Sequence, residues 1–232
     1  MIHILAVYLG FYLLWICIVH ILTKKSLSQE FRAMLWKKCW TYFVITISVF
    51  ISIYFFKYIL LLIVLIGLLE VIVAYRQSKT NKQYLLWSSL MIYVILSLLF
   101  GLFVFRTDVY ELLHIYLLVA VFDASSQLFG LLFGKKKIVS KISPNKTWAG
   151  TILGLFSGTV AYCCFQDVSL TLVFFGLMLS ISAFLGDIVA SIYKRKLGVK
   201  DFGNLLPTHG GVLDRFDSFI GAGIFYILIS II

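Results

Sequence analysis

The sequence predicts an all-α, polytopic integral membrane protein with about eight transmembrane helices and a polar site facing the cytoplasm. Three observations carry this expectation. The 232 residues are 62% hydrophobic and only 13% charged, against about a quarter charged in a soluble domain. So much apolar surface cannot be hidden in a core of this size, and lipid must be the solvent. The apolar residues also fall in long runs near the ~20-residue spanning length, not in the alternating ~10-residue segments of a β-barrel. Finally, the basic residues collect between alternate runs.

Taken in order, the runs lie at 3–22, 41–56, 58–75, 84–105, 109–134, 149–165, 168–190 and 218–232. The first resembles a signal peptide in length, but no basic region precedes it and no small-residue cleavage site follows, so it is read as a retained span. Residues 26–40, SLSQEFRAMLWKKCW, mix apolar and basic side chains and are expected to form an interfacial helix on anionic lipid. Only Lys57 divides the second run from the third, and 41–75 is too long for one ordinary span. A tight hairpin is expected there, with Lys57 snorkelling to the surface.

Charge tests the map. Under strict alternation the segments 24–40, 76–83, 135–148 and 191–217 share one side and hold 18 of the 20 Lys and Arg residues, leaving Lys57 and Arg106 opposite. The positive-inside rule makes the loaded side cytoplasmic and puts both termini outside. No repeat, low-complexity tract or soluble domain interrupts the pattern. One membrane domain over 1–232 is expected, with packing helices in 1–105 and the polar motifs in 106–232. Cys17, Cys39, Cys163 and Cys164 lie in or beside apolar runs without CxxC spacing and read as small apolar side chains, not as zinc ligands or a disulfide framework.

Ionisable residues inside spans are costly and therefore point to function. Glu70, about one turn from the cytoplasmic end, is read as snorkelling or capping. Asp123 has Ser125, Ser126 and Gln127 beside it, a cluster that either packs helices or lines a wet cavity. Asp187 is followed at i+4 by Ser191 and at i+7 by Lys194, so a helix would put all three on one face. Asp214 and Asp217, three apart in LDRFD, share a face if that stretch is helical. Asp187 and Asp214 could converge from different helices, and oxygen ligands without His or Cys favour Mg²⁺. The competing structural account, helix-end aspartates paired with Lys or Arg, carries more weight on these residues alone.

Two cytoplasmic segments concentrate the remaining polar chemistry. In FGKKKIVSKISPNKTWAG, the Ser143-Pro144 pair should break a helix, after which Lys146, Thr147 and nearby N–H groups offer donors to phosphate oxygens. A plain positive-inside anchor is the alternative. In SIYKRKLGVKDFGNLLPTHGGVLDRFD, five cations, three aspartates and four glycines stand in an otherwise oily chain. Gly210-Gly211 permits close approach to a ligand or an unusual turn, Pro207 bars a helix, and His209 could bond phosphate, orient a carboxylate or satisfy the loop.

The second segment resembles the defining pattern of the phosphatidate cytidylyltransferases, the CDP-diacylglycerol synthases. It does so through Ser191, Lys194, Arg195, Lys200, Asp201, Gly203, Leu206, Pro207, His209, Gly210, Gly211, Asp214, Arg215 and Asp217. The first is similar to a second family stretch at Asp123, Gly130, Gly134, Lys135 and Ile142 to Gly150. Ala149 stands where members commonly have Glu, and Ser125-Ser126 where many have Ala-Tyr.

The resemblance implies transfer of a cytidylyl group from CTP to phosphatidate, with Mg²⁺ and in some members K⁺. Asp187 and Asp214 would be the leading metal ligands, with Asp217 and Asp123 nearby. Lys194, Arg195, Lys200 and Arg215 would bind triphosphate or lipid phosphate. Ser143, Lys146 and Thr147 would assist from the other segment, and Ser191, Asp201, Gly210, Gly211 and His209 complete the expected site. The implied partners are CTP, phosphatidate, membrane lipid and a second copy of the chain, with no nucleic acid; the implied location is a bacterial inner membrane. The same chemistry on a prenyl-ether lipid phosphate stands close to this reading. An ion transporter using Asp123 and Asp187, or an inactive scaffold, is further off, since both intramembrane aspartates lie in the later half without the paired repeats of many transporters.

Overall fold

The computed structural model describes residues 2–24, 29–77, 83–164, 166–203 and 210–231. Among these, eight α-helices account for nearly all of the chain: α1 (Ile2–Lys24), α2 (Gln29–Phe56), α3 (Leu60–Gln77), α4 (Gln83–Arg106), α5 (Val109–Phe133), α6 (Trp148–Cys163), α7 (Leu170–Leu197) and α8 (Leu213–Ile231). Each expected apolar run is one helix. The all-α expectation needs one addition, an antiparallel hairpin of β1 (Lys137–Val139) and β2 (Ser143–Thr147), paired at Lys137 with Thr147 and at Val139 with Ser143. Pro144 therefore sits in a short strand of a two-stranded sheet, where both strands are edges and proline is tolerated.

Two local expectations are corrected. Residues 29–40 are not a separate interfacial helix but the first turns of α2, which has no Gly or Pro before Phe56 to stop it; residues 25–28 lie outside the described segments. The hairpin expected at Lys57 is not a tight one. Phe56 leaves helical geometry (φ −154°, ψ 80°), a single 3₁₀ turn follows at Lys57–Ile59, and Lys57 Nζ donates to the carbonyls of Phe105 (3.3 Å) and Thr107 (2.8 Å). It thus caps carbonyls at the end of α4, where a cation also meets the negative end of the helix dipole. The chain does reverse here, but its arms splay: α2 packs on α5, while α3 packs on α4 and α8.

Helix α5 is the axis of the bundle. Its residues 112–113 and 115–122 are all buried, and it meets α1, α2, α6, α7 and α8. Helix α6 presses against it through Gly150, Gly154 and Gly158. A Cβ at Gly154 would lie 2.8 Å from Ser126 Cβ, and one at Gly158 3.1 Å from Phe122 Cβ, so these small residues permit the close approach that membrane helices use for packing. Helices α7 and α8 cross where a Cβ at Gly186 would stand 3.0 Å from Gly221 Cα. Leu62, Leu65, Leu69, Leu98, Phe174 and Leu185 point outward and exposed, as expected of a lipid-facing rim. Among the described residues, four apolar helical stretches are long enough to cross a membrane: Cys39–Gln77, which contains the reversal, Trp87–Arg106, Val109–Phe133 and Leu170–Leu197. The chain is an α-helical integral membrane protein.

Candidate functional site

Helix α7 outlasts its expected end and runs to Leu197. Gly198 stops it in the left-handed conformation (φ 72°), with its own N–H returned to Arg195 O and that of Val199 to Lys194 O, a Schellman closure. The extra turns put Asp187, Ser191 and Lys194 on one face, as the spacing predicts: Ser191 Oγ donates to Asp187 Oδ1 at 3.3 Å. Lys194 then reaches α8, with Nζ 2.7 Å from Asp214 Oδ1 and 3.9 Å from Asp217 Oδ2. LDRFD is indeed helical, and its two aspartates share the face turned to Lys194.

Asp214 does more than pair with that lysine. Its Oδ2 accepts the N–H groups of Phe202 (2.9 Å) and Gly211 (2.8 Å), fastening the segment before α8 to the helix itself. Gly210 turns that segment through φ 80°. Gly211 contributes its amide to Asp214 and does not line the cavity described below. His209 falls outside the described residues.

The opposite wall comes from α5 and the hairpin. Asp123 Oδ1 accepts from Ser218 Oγ (3.3 Å), linking α5 to α8. Lys146 Nζ stands 2.6 Å from Asp187 Oδ2 and 4.8 Å from the centroid of the Phe184 ring. Arg195 Nε donates to Ile142 O (3.0 Å), so α7 grips the hairpin at a second point. The Thr147 hydroxyl accepts from Gly150 N–H (3.2 Å), making it the N-cap of α6. Glycine at 134 leaves it room, since a Cβ there would come within 2.6 Å of Thr147 Cγ2.

Together these walls enclose a cavity of about 410 Å³. The expected residues Asp123, Asp187, Asp201, Asp214 and Asp217 line it, as do Lys146, Lys194, Arg195, Lys200 and Arg215, with Ser143, Thr147 and Ser191. Five carboxylates and five cations thus share one pocket. The cations divide by depth: Arg195, Lys200 and Arg215 are exposed, whereas Lys146 and Lys194 lie deeper, each against a carboxylate. A second, apolar cavity of about 480 Å³ runs between α3, α4, α7 and α8 past Phe100, Leu185 and Val189, and Asp217 borders both.

The donors suit a hard cation unequally. Among the described residues no three His, Cys, Asp or Glu groups form a ready-made metal cage. Mg²⁺ seldom needs one, being held by one or two carboxylates with substrate phosphates and water. Asp187 fits that role: its side chain is 29% exposed, and its oxygens meet the Lys146 and Ser191 side chains. Asp214, at 4% side-chain exposure, already receives two amides and an ammonium group.

Several residues were not singled out from sequence. Tyr42 and Thr46 of α2 line the cavity wall, with Tyr42 Oη donating to Ala120 O (2.7 Å). Both are single polar groups in an apolar run, and no spacing marks them. Ser218 became visible only through its contact with Asp123. Glu70 is a cap, as one of its two expected roles had it, but of a helix distant in sequence: it accepts the N–H groups of Val212 and Leu213 at the start of α8.

Comparison with known proteins decides the family. The profile of the cytidylyltransferase family matches residues 1–232. The chain belongs to that family. Among its relatives, a phosphatidate cytidylyltransferase of Rickettsia bellii is 32% identical over 175 residues, covering 70% of this chain and 75% of the relative. One from Staphylococcus aureus (strain COL) is 45% identical over 115 residues, 47% of this chain and 44% of that protein. One from Staphylococcus haemolyticus is 43% identical over 122 residues, 50% and 47% of the two chains. The match thus spans less than half the length of the staphylococcal relatives.

Proposed function

We propose that this cytidylyltransferase-family chain transfers the cytidylyl group of CTP to phosphatidate, giving CDP-diacylglycerol and pyrophosphate, with Mg²⁺ as its metal. The observation that carries the reading is the single cavity in which aspartates and Lys or Arg side chains from α5, the hairpin, α7 and α8 meet within a lipid-facing bundle. In the reaction an oxygen of the lipid phosphate attacks the α-phosphorus of CTP. The bond from that phosphorus to the bridging oxygen breaks, and its electron pair departs with pyrophosphate.

The lipid phosphate is already ionised near neutral pH, so little general-base help is needed. The obstacle is bringing two polyanions together, and it is met by positioning and electrostatics. Arg195, Lys200 and Arg215, exposed at the cavity, draw in the triphosphate. Lys146 and Lys194 are held at fixed points by Asp187 and Asp214 and present positive charge deeper in. A magnesium ion held at Asp187 would supply charge neutralisation on the phosphates. The adjoining apolar cavity offers room for acyl chains beside the polar chemistry.

In this reading the eight helices are eight spans, both termini lie outside, and the cavity opens to the cytoplasm of a bacterial inner membrane. Lys57 meeting the carbonyls at the end of α4 supports the arrangement, since it sets the two basic residues left outside the cytoplasmic segments, Lys57 and Arg106, at one end of the bundle. The test is turnover by purified protein with Mg²⁺, labelled CTP and a panel of lipid phosphates. Labelled CDP-diacylglycerol from phosphatidate is expected; preference for a prenyl-ether lipid phosphate would change the acceptor. Turnover on none of them, where a staphylococcal relative works, would remove the proposal.

A further inference from the structure

Glu70 lies in α3, in the half of the chain that carries none of the polar motifs, yet it is buried to 4% exposure. Its Oε1 accepts the N–H of Val212 at 2.8 Å and its Oε2 that of Leu213 at 2.7 Å, across 142 and 143 residues of sequence. These amides open α8, where a helix has N–H groups without intrahelical partners and the positive end of its dipole. A carboxylate from another helix here forms two charge-assisted bonds.

The surrounding backbone is shaped to admit it. A Cβ at Gly203 would stand 2.7 Å from Glu70 Oε1, and one at Gly211 2.7 Å from both carboxylate oxygens. Helix α3 is itself fixed close by, with Tyr93 Oη of α4 donating to Val64 O at 2.7 Å. Glu70 does not line the polar cavity, but the turn it grips carries Asp214, Arg215 and Asp217, which do.

We propose that Glu70 is a positioning residue for cytidylyl transfer. By clamping the first amides of α8 it sets Asp214, Arg215 and Asp217 against Asp187 and Lys194 of α7. The inference rests on the reaction proposed above, and it gives the N-terminal half a part in the site.

Glu70→Gln keeps the size of the side chain but leaves one acceptor oxygen and turns an amide NH₂ toward the other N–H. Turnover of CTP and phosphatidate should lose at least about tenfold in kcat, the scale of a lost charged hydrogen bond. KM for CTP should move less than kcat, because Arg195 and Lys200, two of the three cations at the cavity mouth, stand on other segments and only Arg215 is on α8. Glu70→Asp, with its charge withdrawn by one methylene, should show the same split and serves if Glu70→Gln does not fold. Gly211→Ala should impair the wild type but add less than about twofold in a Glu70→Ala background, where its clash partner is gone.

Hydrogen exchange reads the clamp without activity: Glu70→Gln should speed exchange at Val212 and Leu213 while α5 is unchanged. Wild-type kcat in both Glu70→Gln and Glu70→Asp, activity lost only in step with folded protein, or unaltered exchange would each overturn the proposal. A wild type that makes no CDP-lipid would overturn the reaction and the positioning role with it, and faster exchange would then still establish the clamp as structural.

Discussion

Removing the charge of Lys146 gives a test in which the magnitude follows from the geometry. Lys146 Nζ and Asp187 Oδ2 are 2.6 Å apart, with side chains 16% and 29% exposed. At that separation Coulomb's law gives about 6 kcal/mol for an effective dielectric of ~20 and about 1.6 kcal/mol for water. With nearly a third of Asp187 open to solvent, the screened end applies, about 1–2 kcal/mol. A divalent ion approaching Asp187 must compete with that ammonium group. Lys146→Met removes the competitor and should tighten binding of Mn²⁺, used as the probe for the metal, by roughly 5- to 30-fold when no nucleotide is present. Titration of the detergent-solubilised protein followed by the Mn²⁺ EPR signal reads this directly. The same variant should lose about tenfold or more in kcat/KM for CTP, because a fixed phosphate donor has gone. Unchanged or weaker Mn²⁺ binding would refute the idea that Lys146 and the metal share Asp187.

Three further outcomes are expected. Gly186→Val should cost about 1–3 kcal/mol of stability by overfilling the α7–α8 crossing, read as a lower unfolding temperature in detergent. Thr147→Val should lose the N-cap of α6 and about 1 kcal/mol, whereas Thr147→Ser should keep most of it. In a background without the four native cysteines, single cysteines at Arg106 and Lys141 should react with a membrane-impermeant thiol reagent from opposite sides, Arg106 in intact cells and Lys141 only after the membrane is opened.

The helices were legible because lipid imposes a simple rule: a long apolar run must satisfy its own backbone, and a helix is the way to do so. That rule says where helices lie but not what touches what. It located the reversal at Lys57 but could not give that ammonium its two carbonyl partners, which belong to the far end of α4. Helix α2 was cut short in the reading because the basic residues at 37–38 mark a membrane edge, while nothing there stops a helix. The β-hairpin was missed because its five-residue second strand includes Pro144 and reads as a loop. The stripe Gly150, Gly154, Gly158 was available in the sequence as a four-residue small-residue period and marks the face α6 turns to α5.

The site was legible in part for a similar reason. Helical periodicity put Asp187, Ser191 and Lys194 on one face, and Asp214 with Asp217 on another; the structure joins the two faces through Lys194. What periodicity cannot show is whether a carboxylate is available. Asp187 and Asp214 look alike in sequence, yet Asp214 is engaged by the amides of Phe202 and Gly211, partners that have no side-chain signature. The anchoring of α8 by Glu70 was hidden in the same way, since its two partners are main-chain groups more than 140 residues away.

The most direct test of the account is the rate of CDP-diacylglycerol formation by wild type and Asp187→Asn, measured with labelled CTP, phosphatidate and Mg²⁺ on protein shown to be folded. The account predicts one pyrophosphate per lipid product from the wild type and a loss of at least about a hundredfold in the variant, the scale of a lost electrostatic group at a reacting phosphate. A variant that turns over at the wild-type rate would contradict it.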